Sequence, residues 1–267
     1  MAGPLAWLLR KPRRIGLALS GGGARGAAHV GVLKVLEREG IRPDCVVGVS
    51  AGSVVGAGYC AGMSVAEMEE LALNLEWSRL GRIVRPRLGF FDSQRLESYV
   101  AELVGDRQFA DLSIPFAAVA ADILTGQLVV LREGSVAQAV RASCALPGIF
   151  TPVERGDQLL IDGGTINNLP VSVVQEMGAD YVIAVDLLPP PQDRHPRPDN
   201  LFEMWSLTFY TLLRVTHAEG QDADCLITPA VGSYGIFDFL KMEEMLEKGV
   251  KAAEVKIDQI KADLGLG

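Results

Sequence analysis

Two short apolar runs, each broken by a glycine-rich turn and each followed by a helical pattern, constrain this chain more than any other feature. The first is Ile15 to Leu19, which stops at Ser20-Gly21-Gly22-Gly23. A helix is expected next, from Ala24 to Glu39, because Val30, Leu33 and Leu36 keep helical spacing and Gly40 ends the run. The second is Cys45 to Val49, which turns at Gly48 to Gly52 into a small-residue helix from Ala51 to about Cys60. Two successive strand-turn-helix units imply parallel pairing. The fold class is therefore α/β, expected as a three-layer α/β/α sandwich with a mostly parallel central sheet.

The same reading continues along the chain. Helices are expected over Val65 to Trp77 and Ser93 to Val104, the second opened by Ser93 as N-cap with Asp92 before it, and an irregular basic stretch lies between them. Pro115 to Ala121 and Gln127 to Leu131 flank Leu124-Thr125-Gly126 as two strands joined by a turn. A short helix near Val136 to Ser143 follows, and then a strand at Leu159 to Ile161 that ends at Asp162-Gly163-Gly164. Pro170 to Met177 reads as helix and Tyr181 to Val185 as a buried strand. Five prolines between Pro189 and Pro198 exclude helix or central strand there. Cys225 to Thr228 is expected as a last strand and Phe239 to about Leu264 as a terminal helix. The chain divides into a basic extension over residues 1–14, a core over 15–188, and a region over 189–267 that completes the same domain.

Composition narrows the classes of partner. The net charge of -8, from 33 acidic and 25 basic residues, sets the molecule as a whole against nucleic acid and anionic membranes. Contact with anionic headgroups would have to be local, at Arg10 to Arg14 or Arg79 to Arg87, and a solvated basic stretch is the plainer reading of both. The four cysteines form no C-x-x-C pair, which fits a reducing compartment. The apolar run Pro4 to Leu9 comes before the nearby charges, the reverse of a secretory signal. No stretch reaches the roughly 18 apolar residues of a membrane span, since even Leu201 to Val215 carries Glu203 and Arg214. The expectation is a cytoplasmic protein, soluble or peripheral at the inner membrane face. Nothing in the sequence speaks to oligomeric state.

The chemistry is concentrated at the turns. Gly48-Val49-Ser50-Ala51-Gly52 matches G-x-S-x-G, in which a serine sits on a sharp strand-to-helix turn with its hydroxyl exposed. Side chains at Gly48 and Gly52 would collide at such a turn, and the N–H after the serine, on Ala51, points at a developing oxyanion. Gly21, Gly23 and Gly26 also fit the dinucleotide pattern G-x-G-x-x-G. That reading needs an acid at the end of the second strand, yet Asp44 begins that strand and Ser50 ends it. As an anion cradle, the N–H groups of Gly21, Gly22 and Gly23 would serve an oxyanion beside Ser50.

Such a serine needs a base, and the chain has three histidines. His29 lies within a helix's apolar pattern, His195 in the proline-rich loop and His217 after the apolar segment. His217 is formally available to a Ser-His-Asp arrangement. Asp162 is the stronger candidate, because an apolar strand would leave its carboxylate desolvated and raise its proton affinity above that of an ordinary aspartate. Arg25 reads either as a partner for a nearby carboxylate or as a phosphate contact. Trp205, Phe209 and Tyr210 read as core packing, with an interfacial helix as the alternative.

Taken together and in order, Gly21-Gly22-Gly23-Ala24-Arg25-Gly26, then Gly48-Val49-Ser50-Ala51-Gly52, then Asp162-Gly163-Gly164 resemble the patatin-like phospholipase family, from about Ile15 to Leu187. Ala142 to Pro147 and Asn168-Leu169-Pro170 are similar as well. The resemblance implies a lipid acyl-ester hydrolase with a Ser50-Asp162 dyad, an oxyanion loop at Gly21 to Gly23, and no metal or cofactor. It leaves a catalytically silent relative as the alternative within the family. Beyond about Pro189 the resemblance fades, and that region is expected to shape the acyl-chain pocket.

Overall fold

The computed structural model describes residues 13–85, 87–188, 197–216 and 218–266. In chain order the first half comprises β1 (Ile15–Leu19), α1 (Ala27–Arg38), β2 (Cys45–Val49), α2 (Ala51–Cys60), α3 (Val65–Leu73), α4 (Trp77–Leu80), β3 (Arg82–Ile83), β4 (Gly89–Asp92), α5 (Gln94–Val104), β5 (Phe116–Asp122) and β6 (Gln127–Leu131). There follow α6 (Val136–Ser143), β7 (Gly148–Phe150), β8 (Val153–Arg155), β9 (Gln158–Asp162), α7 (Val171–Glu176), β10 (Tyr181–Val185), α8 (Leu201–Val215), β11 (Cys225–Ile227) and α9 (Met242–Leu264).

The main sheet runs β11-β10-β1-β2-β5-β9-β8, with β6 also paired to β5. From β11 to β5 every neighbour is parallel, while β6, β9 and β8 join antiparallel. The α/β class and mostly parallel sheet are as the two glycine-turn units imply. Period-2 alternation splits the central strands between two cores. Leu17, Leu19, Val46 and Ile183 face the layer built around α1, α2, α5, α6 and α9. Ala18, Val47, Val119 and Val182 face the opposite layer, where Val171, Val173 and Val174 of the short α7 cover the sheet. The two outer layers are therefore unequal in thickness.

Several local expectations change, among them the helix expected over Val65 to Trp77, which ends at Leu73. The chain after the first glycine turn enters a 3-10 turn over Gly23–Gly26 before α1 begins. Ser93 stands at the N-cap of α5 without capping it: its hydroxyl donates to Thr151 O and accepts from Arg141 Nε, and Asp92 Oδ1 instead accepts the Gln94 N–H at 3.0 Å. The basic stretch read as irregular contains β3 and β4, which with β7 form a separate three-stranded sheet. Its inner side joins a third apolar cluster that includes Phe91, Phe150, Phe209 and Leu213.

Candidate functional site

The two parallel units deliver their turns side by side. β1 and β2 pair in register, Leu19 opposite Gly48, so the Ser20-Gly21-Gly22-Gly23 turn and the Ser50 turn leave the same edge of the sheet. Ser50 has φ 51 and ψ −123, a left-handed conformation that a non-glycine residue adopts only where its surroundings enforce it. Packing does so here. A side chain at Gly48 would come within 2.4 Å of Gly52 O, and one at Gly52 within 2.3 Å of Leu19 O. The Ser50 N–H donates to Ser143 Oγ at 2.9 Å, and that hydroxyl donates to Val119 O at 2.6 Å, so α6 and β5 hold the turn from behind.

Sheet register brings Asp162 to the same point. Val49 lies beside Val119, so Ser50 continues to the level of Ala120, and Ala120 is the antiparallel partner of Asp162. Ser50 and Asp162 thus flank one position of β5 from its two sides, at strand spacings of about 4.8 Å each. Asp162 is 1% exposed. Its Oδ1 accepts from Gly164 N–H at 2.9 Å, and its Oδ2 is buried without a completed hydrogen bond. Burial pushes the carboxyl up to about 6, opposed by the neighbouring Ser50 hydroxyl and the Gly164 N–H, both of which favour the charged form. Gly163 lets β9 press against β5, since a side chain there would sit 2.2 Å from Val119 O.

The first glycine loop is fixed by the segment before α9. Gly23 has φ 59 and faces Ile236, whose carbonyl oxygen accepts the Ala24 N–H at 2.9 Å. Gly26 packs on Ala51, and a side chain there would meet Ala51 Cβ at 2.9 Å. The Gly21 N–H points to Asn168 O at 3.4 Å. Among the described residues, the N–H groups of Gly22, Gly23 and Ala51 donate to no protein acceptor outside their own turns. Arg25 is held chiefly by backbone carbonyls, and the Asp238 carboxylate nearby favours its charged form. It is 2% exposed, its Nε and Nη2 donate to the backbone oxygen of Tyr234, and its guanidinium lies 4.9 Å from the Tyr210 ring centre. It fastens the glycine loop to the segment 232–236 through the carbonyls of Gly232 and Tyr234.

His29 is buried, and its Nε2 lies 2.8 Å from Ser20 O; burial lowers it to about 4, so the neutral ring donates to that carbonyl. His195 and His217 lie outside the described residues. Ser143, Cys144 and Asn168 are site residues to which the sequence had given no role. Cys144 is buried 3.7 Å from Ser53 Oγ with its thiol pushed up by burial. The side-chain amide of Asn168 is buried without a hydrogen-bond partner, between Gly21 and Gly164. All three lie in the stretches Ala142 to Pro147 and Asn168 to Pro170, which were visible as family-like but not as contacts.

Ser50, Asp162, Cys144 and Asn168 stand at the head of a cavity of about 170 Å³. Its walls are apolar: Ala51, Val54, Val55 and Gly58 along α2, Met68, Leu71 and Ala72 of α3, and Leu96, Tyr99 and Leu103 of α5. The region after Pro189, expected to shape this pocket, supplies one side of it, through Phe209 and Leu213 of α8 and Ile236, Phe237, Phe239 and Met242. α8 is apolar on two sides. Phe209 and Leu213 face inward as core packing requires, whereas Leu201, Met204, Leu212 and Val215 are exposed.

Comparison with known proteins matches residues 17–174 to the patatin-like phospholipase family. An NTE family protein of Mycobacterium bovis is 32% identical over 94% of this chain and 48% of its own length. The human patatin-like phospholipase domain-containing protein 6 is 37% identical over 65% of this chain and 13% of its own. The chain thus spans about half or less of these curated relatives. Among solved structures, VipD from Legionella pneumophila superposes with a TM-score of 0.59 at 14% identity, covering 93% of this chain and 67% of VipD. The type III effector ExoU gives 0.52 at 14% identity, over 93% and 53%.

Proposed function

Since this chain belongs to the patatin-like phospholipase family, we propose that it hydrolyses lipid acyl esters, with Ser50 as nucleophile and Asp162 as general base. The observation that carries the reading is the juxtaposition of a strained, partly exposed Ser50 with an under-bonded, buried Asp162 oxygen at the head of an apolar cavity. An aspartate raised to about 6 is still charged at neutral pH, and it holds a proton more readily than a solvated one. Ser50 Oγ attacks the ester carbonyl while Asp162 takes its proton. The N–H groups of Gly22, Gly23 and Ala51, with the positive end of α2 behind them, receive the charge that develops on the carbonyl oxygen. Asp162 then gives its proton to the departing alcohol. In the second half a water loses its proton to Asp162 and attacks the acyl-enzyme, and Asp162 returns that proton to Ser50 Oγ as the acid leaves.

Hydrolysis of a short-chain chromogenic ester by the parent, Ser50→Ala and Asp162→Asn tests this, with folding of each variant checked by circular dichroism. Losses of about 10³-fold or more for Ser50→Ala and about 10²-fold or more for Asp162→Asn are expected. Retained turnover in Ser50→Ala would sink the reading.

The exposed side of α8 is the face we assign to lipid. Its inner side walls the cavity, so a lipid surface resting on Leu201, Met204, Leu212 and Val215 would lie next to the site that consumes its components. Leu201→Glu combined with Val215→Glu should reduce cosedimentation with phosphatidylcholine vesicles while turnover of a water-soluble ester persists. Equal vesicle binding by parent and variant would remove this face from the account.

A further inference from the structure

α2 does two things at once. Its N-terminus carries Ser50, and one face of it forms a wall of the cavity, through Ala51, Val54, Val55 and Gly58. These are helical neighbours in steps of three and four or adjacent to them, so the cavity follows the helix from the nucleophile toward its C-terminal end. From Ala51 to Gly58 the rise is about 10 Å. That length takes on the order of eight carbons of an extended alkyl chain, given carbon–carbon bonds of about 1.5 Å.

Gly58 differs from the other glycines of the same helix. A side chain at Gly52 would meet Leu19 O at 2.3 Å, and one at Gly56 would meet the Phe116 ring at 2.9 Å, so packing on the sheet requires both to be bare. At Gly58 an added Cβ meets only Met63 Sδ at 3.8 Å and Met68 Cε at 3.9 Å, ordinary contacts. The backbone there is helical and buried, where glycine costs about 0.5–1 kcal/mol against alanine. Neither packing nor backbone conformation asks for a glycine, and the cavity is what its missing side chain leaves open. The two neighbours at that end, Met63 and Met68, are the flexible side chains best able to yield to a ligand.

We propose that Gly58, backed by Met63 and Met68, sets the acyl-chain length this site accepts: a straight tail passes the bare helix at Gly58 and ends against the two methionines. The assignment rests on the hydrolase reading above for its kinetic form. The test compares kcat/KM for p-nitrophenyl butyrate, octanoate and dodecanoate in the parent, Gly58→Leu and Met68→Ala. In Gly58→Leu the octanoate-to-butyrate ratio should fall by about tenfold or more, the range set by one misplaced methylene or more in an apolar pocket. In Met68→Ala the dodecanoate-to-octanoate ratio should rise. Ratios unchanged in both variants would overturn the assignment, as would a loss equal at all three lengths. If Gly58→Leu fails to fold, Gly58→Ala, for which the space exists, should show a smaller fall in the same ratio, and Met68→Ala still decides. Calorimetric binding of decanoate to Ser50→Ala, with and without Gly58→Leu, separates the two claims. Should the parent hydrolyse no ester, weaker decanoate binding in the Gly58→Leu form would still support the gauge, and equal binding would refute it.

Discussion

Ser20 and Ser50 end neighbouring parallel strands, each at the mouth of a glycine-assisted turn into a helix, and they do opposite things. Ser20 is fully buried. Its hydroxyl accepts the Leu187 N–H at 2.9 Å, its N–H donates to Val185 O, and its carbonyl receives His29. Its N–H and hydroxyl tie the end of β1 to β10 and the chain after it, and its carbonyl ties the same point to α1. Ser50 has its N–H held by Ser143 and its carbonyl by Ser53 at 2.6 Å, while its hydroxyl opens on the cavity beside Asp162. The difference lies in the backbone. Of the two, only Ser50 has a positive φ, and that twist turns its side chain out of the sheet and toward the charge. One strand-turn-helix plan yields a fully bonded serine or one whose hydroxyl opens on a cavity, according to whether the surrounding packing enforces the strained conformation.

The sharpest way to break the contrast is to remove the charge that faces Ser50 and not Ser20. In Asp162→Asn, kcat/KM should fall by about 10²-fold or more at neutral pH. In the parent, kcat/KM should drop about tenfold per pH unit below about 6, where the carboxyl protonates, and level off above it. The same group bears on stability with the opposite sign to a salt-bridged aspartate. Its folded pKa of about 6 lies above the unfolded value near 3.9, so the folded state binds the extra proton between them. Stability from this group is present at low pH and is lost as pH rises toward about 6, a cost of the order of 3 kcal/mol at neutral pH. Asp162→Asn should therefore unfold at the same or higher denaturant concentration than the parent at pH 7.5, despite losing activity. A clear loss of stability would show that the carboxylate is compensated and that its burial is ordinary.

A smaller effect comes from the hydroxyl that holds the Ser50 turn from behind. Ser143→Ala leaves the Ser50 N–H and Val119 O without their shared partner. A stability loss of about 1–3 kcal/mol is expected, with a fall in kcat that exceeds any change in KM. The smallest effect on chemistry belongs to the other serine. Ser20→Ala should cost about 1–2 kcal/mol of stability through the orphaned Leu187 N–H and leave kcat/KM per folded molecule near that of the parent. If Ser20→Ala and Ser143→Ala reversed that ranking in kcat, the division between structural and reactive turn would fail.

The contrast also explains what the sequence could disclose. Ile15–Leu19, Cys45–Val49 and Tyr181–Val185 have the bounds that their apolar runs suggest, because burial on both faces selects β-branched and aliphatic residues along the whole strand. Helix α2 was equally legible between its turn and Cys60. The short strands β3, β4 and β7 were not, since each has four residues or fewer and β4 finds β7 only across a long sequence separation. For the candidate site, the residues that define motifs, Ser50, Asp162 and the glycines, stood out because turns demand particular residue types. Ser143, Cys144 and Asn168 did not, because their roles arise from where α6 and the segment between β9 and α7 bring them. The cavity was the least legible part. Its walls come from α2, α3, α5 and α8, and apolar residues that line a cavity carry the same helical spacing as those that fill a core.

The most direct test of the account is covalent labelling with a fluorophosphonate, read by intact mass and peptide mapping on the parent, Ser50→Ala and Asp162→Asn. One adduct per parent molecule is expected, located on Ser50, with none on Ser50→Ala and slow labelling of Asp162→Asn. An adduct that persists in Ser50→Ala, or one mapped to a different serine, would contradict it.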